Sequence, residues 1–247
     1  MSSSKSDRQN STSPSQGHWF ATHQSDEWLS LLKAVQSRFN REYLGENIEL
    51  PPEVAAMPIF QEKAAGTLQE KLVSPFWEVI KFQKNWRCLD IGCGVSFLIY
   101  PWRDWETFFY GQEICGAAQD LLNSRGSQLN SKLFHGVKWG PAHELQYDED
   151  QFDLAIATGF SCYYPLDYWR ATMKEVQRVL KPGGKFVFDV LDAEQPLAEN
   201  WAILETYLGA EVFLESISDW EKMIKSSGAK ILKRKSGELF QLYKVQW

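Results

Sequence analysis

The chain has 247 residues, 44% of them hydrophobic, with 26 basic against 32 acidic side chains and a net charge of −6. That length supports one sizeable core with a small appendage, and the acidic balance argues against a general nucleic-acid binder, which carries a basic face. No apolar run approaches the length of a membrane-spanning helix, and the opening MSSSKSDRQNSTSPSQG lacks the apolar centre of a signal peptide, so the expected location is the cytoplasm.

Residues 1–17 are rich in Ser, Gln and Asn and nearly free of large apolar groups. Burial there cannot offset the entropy of ordering, which predicts a flexible tail. From Ser25, a plausible cap, Trp28, Leu31, Leu32, Val35 and Phe39 recur at spacings of three and four, with Gly45 as a plausible stop, which predicts a helix. ELPPEVAAMP interrupts that pattern, and the stretch from Ile59 to Phe82 predicts one or two further helices broken near Ser74-Pro75. Residues 18–85 thus form an expected helical cap. Trp28, Trp77, Trp169 and Trp220 stand where helices should pack, so core is their expected place.

After residue 86 the rhythm changes. Short apolar runs (RCLDI, TFFYGQEI, LFHGVKW, FDLAIATG, GKFVFDVL) are separated by AAQDLLNSRGSQL and YWRATMKEVQRVLK, both with helical apolar spacing. Strands alternating with helices imply parallel strands joined by crossovers. At the end, AKILKRK and ELFQLYKVQW flank Ser236-Gly237 as a hairpin. Residues 86–247 are therefore expected to form an α/β domain: a seven-stranded, mostly parallel sheet with helices on both faces and an antiparallel C-terminal hairpin. The four cysteines, Cys88, Cys93, Cys115 and Cys162, show no C-x-x-C spacing, so no metal site is expected.

The chemistry concentrates in CLDIGCGVSF. In an open parallel sheet, ligands sit beyond the carboxyl ends of the strands. Gly92 and Gly94 permit a tight turn and close approach of a ligand, because no Cβ blocks it. Asp90, at the strand tip, suits a ligand ammonium or the ordering of loop amides. Glu113, at the end of the next run, suits the two hydroxyls of a ribose. A dinucleotide loop needs a third glycine where Phe97 stands. Asp-x-Gly-x-Gly instead suits a cofactor with an amino-acid end and no diphosphate, as in S-adenosylmethionine.

In these residues the chain resembles the class I, Rossmann-like S-adenosylmethionine-dependent methyltransferases. CLDIGCG is similar to their first motif, YGQEI stands where they carry the ribose acid, GPAHELQYDEDQFDLAIATG is similar to the stretch that contacts adenine and forms the fourth strand, and MKEVQRVLKPGGKFVFDVLD to their helix, Lys-Pro-Gly-Gly turn and fifth strand. The resemblance covers residues 86–192. It implies S-adenosyl-L-methionine as cofactor, held by Asp90, Gly92, Cys93, Gly94, Glu113, Ile114, Ala142, His143, Thr158 and Gly159. Two positions depart from the pattern. Ser96 replaces the usual third glycine, and Pro141 replaces the acid that commonly precedes Ala142 and takes the adenine amino group. Pro101 also disfavours a long helix after the loop.

Residues past the fourth strand lie beside the reactive methyl in this family, which makes Phe160, Tyr163 and Tyr164 candidates for the acceptor wall. The Asn/Asp-Pro-Pro-Tyr motif of enzymes that methylate amide or base nitrogens is absent. No catalytic residue is assigned; His18, His23, His135 and His143 are the candidates if a base is needed. The expected activity is methyl transfer to an O, N or C centre of a small molecule. The alternatives are a protein methyltransferase and a non-catalytic scaffold of the same fold.

Overall fold

The computed structural model describes residues 16–23, 26–46, 48–130 and 132–247. The expected tail lies outside the described residues except for Gln16 and Gly17, which open helix α1 (Gln16–Thr22). The expected cap Ser25 also lies outside them. Helix α2 (Leu29–Tyr43) buries Leu32 and Val35 as its spacing requires, and Gly45, at φ 69°, closes it in the left-handed region. The interrupting ELPPEVAAMP holds a one-turn helix, α3 (Pro52–Ala55), and α4 (Pro58–Ala65) begins on a proline whose missing N–H costs nothing at a helix start. Gly66 ends α4 at φ 76°, so the chain breaks there as well as at Ser74-Pro75, and α5 (Leu68–Leu72) is a separate turn.

The sheet then builds as the alternation requires, from β1 (Arg87–Ile91), β2 (Phe108–Glu113), β3 (Phe134–Trp139), β4 (Phe152–Ala157) and β5 (Leu180–Leu191), all parallel. Between them run α6 (Ser96–Ile99), α7 (Gly116–Asn130) and α8 (Leu166–Val179). Helix α6 is four residues long and ends at extended Tyr100; Pro101 comes next, and the residue before a proline is held out of the helical region. Helices α9 (Ala198–Leu208) and α10 (Ile217–Ser226) precede the hairpin β6 (Lys230–Ser236) and β7 (Phe240–Gln246). Ser216 caps α10 by accepting from the Asp219 N–H at 3.1 Å. The order is β3-β2-β1-β4-β5-β7-β6, with β7 antiparallel to both of its neighbours.

The central strands are buried on both faces. Leu89, Ile91, Phe186 and Phe188 enter one apolar cluster, while Cys88, Leu154, Ile156 and Val187 enter the other, as the two-residue period of a strand demands. The edge strand β6 carries Lys230, Lys233, Arg234 and Lys235 on a mostly exposed run, a composition that discourages edge-to-edge pairing. Of the four tryptophans expected in the core, Trp169 and Trp220 are buried and Trp28 packs partly buried against it, but Trp77 stays 36% exposed, at the rim of an aromatic group with Phe76 and Tyr100.

The Lys-Pro-Gly-Gly segment, expected as a turn, lies inside β5: Phe152 pairs with Leu180 and Leu154 with Lys185, so a register shift absorbs the extra residues. All four cysteines are free and buried. Among the described residues, no cluster of three or more His, Cys, Asp or Glu is arranged to hold a metal, and no helix is long and apolar enough to cross a membrane.

Candidate active site

The strand order reverses between β1 and β4, which is where an open parallel sheet leaves a crevice. The loop after β1 enters it. Gly92 and Gly94 adopt φ 62° and 48°, a region open to glycine at little cost. The Gly92 N–H donates to Gln112 O at 2.8 Å, tying the turn to the neighbouring strand. Cys93 turns the other way: a Cβ on Gly111 would sit 2.9 Å from its sulfur, so only its backbone faces the crevice.

Ser96 has a clear role. Its hydroxyl donates to Asp90 Oδ2, so the place of a third glycine is taken by a group that partners the buried acid. Burial pushes the Asp90 carboxyl up to about 7, against the Ser96 hydrogen bond and with Glu113 adding to the rise. The carboxylate of Glu113 spans the gap between the two strand tips, accepting from Gly94 N at 2.7 Å and Cys115 N at 2.8 Å. Burial raises its pKa, and these amides partly offset the rise. It is only 6% exposed.

Ile114 offers its carbonyl to Trp139 Nε1 at 2.7 Å and to Gln36 Nε2 at 2.9 Å. At the far end of the crevice, the Ala142 N–H donates to the Tyr168 hydroxyl at 3.0 Å, and Tyr168 stacks on Tyr164 at 4.1 Å. His143 Nε2 faces Asp26 Oδ2 at 2.9 Å while its Nδ1 is buried with no partner among the described residues. Trp19 reaches Glu144 Oε2 at 2.9 Å and stacks on His23. Of the other candidate bases, His135 stacks on Tyr110 with its pKa lowered by burial and then by Arg87, and the side chain of His18 lies outside the described residues.

After β4, Thr158 is half-buried and Gly159 exposed. The Gly159 N–H reaches both oxygens of Asp189 at 3.0 Å. Asp189 also accepts from Ser74 at 2.5 Å, and burial pushes it up to about 6. Phe160 lies over the glycine turn, its ring 2.7 Å from where a Gly92 Cβ would be. Tyr163 and Tyr164 are 1% and 2% exposed, the first edge-on to Phe39. Both pack in the interior.

The sequence reading left out the contribution of α2. Gln36, Asn40 and Tyr43 form one stripe over the tips of β1 and β2. Asn40 Oδ1 accepts from Ala117 N at 3.0 Å and from the Cys115 thiol at 3.1 Å. The helix is clamped on its other side, where buried Arg38 donates from Nε and an Nη to the two oxygens of Glu205 at 2.9 and 3.0 Å. Spacing alone gives these polar residues to the solvent face of an amphipathic helix. The readable signal was an isolated acid within an apolar run, as with Asp189 and Glu205.

The sheet order, glycine turn and acid at the second strand tip define the α/β class of methyl-transfer folds. Residues 89–188 match a family model described as a methyltransferase domain, and the fold is similar to that of a solved S-adenosylmethionine-dependent methyltransferase of Aquifex aeolicus, with a TM-score of 0.51 at 14% identity over 80% of this chain and 98% of that one. It is 29% identical over 160 residues to a sterol 4-C-methyltransferase of Caenorhabditis elegans, covering 64% of this chain and 46% of that one. A 2-methoxy-6-polyprenyl-1,4-benzoquinol methylase of Gallus gallus is 31% identical over 44% of this chain and 36% of its own length. The chain thus spans less than half the length of these curated relatives. Among solved structures, a geranyl diphosphate C-methyltransferase of Streptomyces coelicolor, in complex with Mg2+, geranyl diphosphate and S-adenosyl-L-homocysteine, aligns with a TM-score of 0.59 at 14% identity, covering 87% of this chain and 97% of that one.

Proposed function

We propose that the chain is an S-adenosylmethionine-dependent methyltransferase acting on a small, largely apolar acceptor, with the cofactor lying along the carboxyl edge of the sheet from the Gly92–Gly94 turn to Ala142. The observation that carries this reading is Glu113, a buried carboxylate bridging the glycine turn and the β2 tip at 2.7 and 2.8 Å. Each of its oxygens keeps a lone pair after accepting one amide, which fits the paired hydroxyls of a ribose. Asp90 and the left-handed glycines fit an amino-acid end. The fit is weaker at the adenine end, where the Ala142 amide must exchange the Tyr168 hydroxyl for the ring.

When bound, the cofactor supplies a sulfonium-borne methyl open to in-line attack by an O, N or C nucleophile. In this reading the protein positions and desolvates. Phe160, ring-stacked on Trp169 at 5.2 Å, covers the turn and excludes water, and Asp189 fixes the Gly159 amide so that the β4 tip keeps its shape. The helical region of residues 18–85 caps the edge and contributes to the acceptor wall. The small-molecule assignment draws support from relatives named for sterol, benzoquinol and squalene methylation.

A second reading, a binding scaffold without turnover, is favoured by one observation: Phe160 and Tyr168 already occupy the approaches to Gly92 and Ala142. Calorimetric titration with S-adenosylmethionine and S-adenosylhomocysteine separates the two. Saturable binding of both is expected, followed by formation of S-adenosylhomocysteine from S-adenosylmethionine with an apolar acceptor panel. Absence of binding overturns the enzyme reading and leaves the scaffold.

A further inference from the structure

Tyr43 stands out within the α2 stripe. Gln36 and Asn40 spend their amides on Ile114 O, Ala117 N and Cys115 Sγ, which fixes where α2 lies over the strand tips. Positions 36, 40 and 43 share one face of the helix, so these anchors carry the Tyr43 side chain to the glycine turn. Its hydroxyl ends 2.5 Å from where a Gly94 Cβ would be. Unlike its two neighbours on the stripe, that hydroxyl makes no hydrogen bond among the described residues. The ring is 36% exposed, so it is not core, yet its polar atom points at the turn. Burial, and then the Glu113 charge, raise its pKa, so the phenol stays neutral and is able to donate.

We propose, resting on the cofactor reading above, that the Tyr43 hydroxyl donates a hydrogen bond to the carboxylate at the amino-acid end of S-adenosylmethionine, making α2 a wall of the cofactor site. The buried acid at the turn, Asp90, suits the ammonium of the same end, and it offers no donor to the carboxylate when ionised. Tyr43 supplies that donor from the opposite side. The rival role is a plug: the ring fills the turn and has to leave for any ligand to enter.

The test compares wild-type full-length chain with Tyr43→Phe, which removes one oxygen and keeps the ring. Two probes are titrated: S-adenosylhomocysteine, and 5′-methylthioadenosine, which has the nucleoside half and no amino-acid end. Tyr43→Phe should weaken S-adenosylhomocysteine about 10-fold, or roughly 1.4 kcal/mol, and leave methylthioadenosine unchanged. Equal loss for both probes, no loss for either, or tighter S-adenosylhomocysteine binding overturns the assignment, the last in favour of the plug. A wild type that binds neither probe removes the cofactor reading, and this inference with it.

Discussion

The two ends of the crevice are built differently. At the β1–β2 end, polar groups converge with capacity to spare: Glu113 accepts one amide on each oxygen and the Tyr43 hydroxyl accepts none. At the β3–β4 end the amide of Ala142 is already satisfied by Tyr168, Tyr164 stacks behind it, and Trp19 and His143 close the rim. A ligand therefore gains new hydrogen bonds at the first end, while at the second it has to exchange existing ones, and an exchange yields little net free energy. The difference teaches that binding strength should concentrate at the β1–β2 end, where the proposed cofactor placement puts the amino-acid and ribose parts, with the β3–β4 end governing access.

The largest test of that contrast removes what clamps α2 over the β1–β2 end. Arg38→Met leaves Glu205, fully buried, without its cation, and should destabilise by about 3–5 kcal/mol in chemical denaturation. The double variant Arg38→Met with Glu205→Leu should recover most of that loss. A single variant as stable as wild type would show that the clamp does not seat the helix.

Next comes Glu113→Ala, which should weaken S-adenosylhomocysteine binding by about 10- to 100-fold in calorimetry. The variant should also lose about 1–3 kcal/mol of stability, because the Gly94 and Cys115 amides are left unpaired. Unchanged affinity would move the strong end elsewhere. The cost to the fold follows from its burial at the junction of two strand tips.

Acid titration sharpens the same end. Asp90 and Asp189 have folded-state pKa values of about 7 and about 6, above the usual aspartate value near 3.9. Between the two values the folded state holds a proton that the unfolded chain has released. The contribution of these two groups to stability is therefore greatest below about pH 4. It falls as pH rises, by at most about 1.4 kcal/mol per pH unit per group, until each folded pKa is passed. Asp90→Asn should flatten the part of that slope between pH 4 and 7 in denaturation series. An unchanged slope would show that Asp90 is ionised throughout.

The smallest effect belongs to the satisfied end. Tyr168→Phe removes one hydroxyl and should cost about 1 kcal/mol in thermal or chemical unfolding, with cofactor affinity equal to or tighter than wild type. A loss of affinity would mean that Tyr168 contacts the ligand, and the contrast between the two ends would fail.

Most of the sheet was legible because short apolar runs, separated by stretches of helical spacing, leave little freedom of assignment, and Pro101 correctly forecast the short α6. The role of Ser96 was not legible, since a hydroxyl replacing a glycine gains meaning only when the Asp90 carboxylate is seen beside it. Lys-Pro-Gly-Gly stood as a turn because the family resemblance implies one there, whereas pairing with β4 through a register shift stretches it into β5. The α2 stripe escaped for a related reason. Gln36, Asn40 and Tyr43 look like solvent-facing residues until the helix is laid across the strand tips, and nothing local dictates that placement.

The Arg38–Glu205 pair joins residues 167 positions apart, and this has a consequence for the order in which the chain matures. On the ribosome α2 is made early, but its buried counter-ion appears only after five strands have emerged, and the β7 strand that pairs with β5 is made later still. Until then an arginine destined for the interior has only the part-exposed Glu42 of its own helix as partner, and the helix is anchored on one side alone, through Gln36 and Asn40. Contacts of such long sequence separation close late, because the loop entropy must be met before they form. Closure of the crevice should thus be among the last events of folding, and a nascent chain stalled before residue 205 should present its strand tips uncovered.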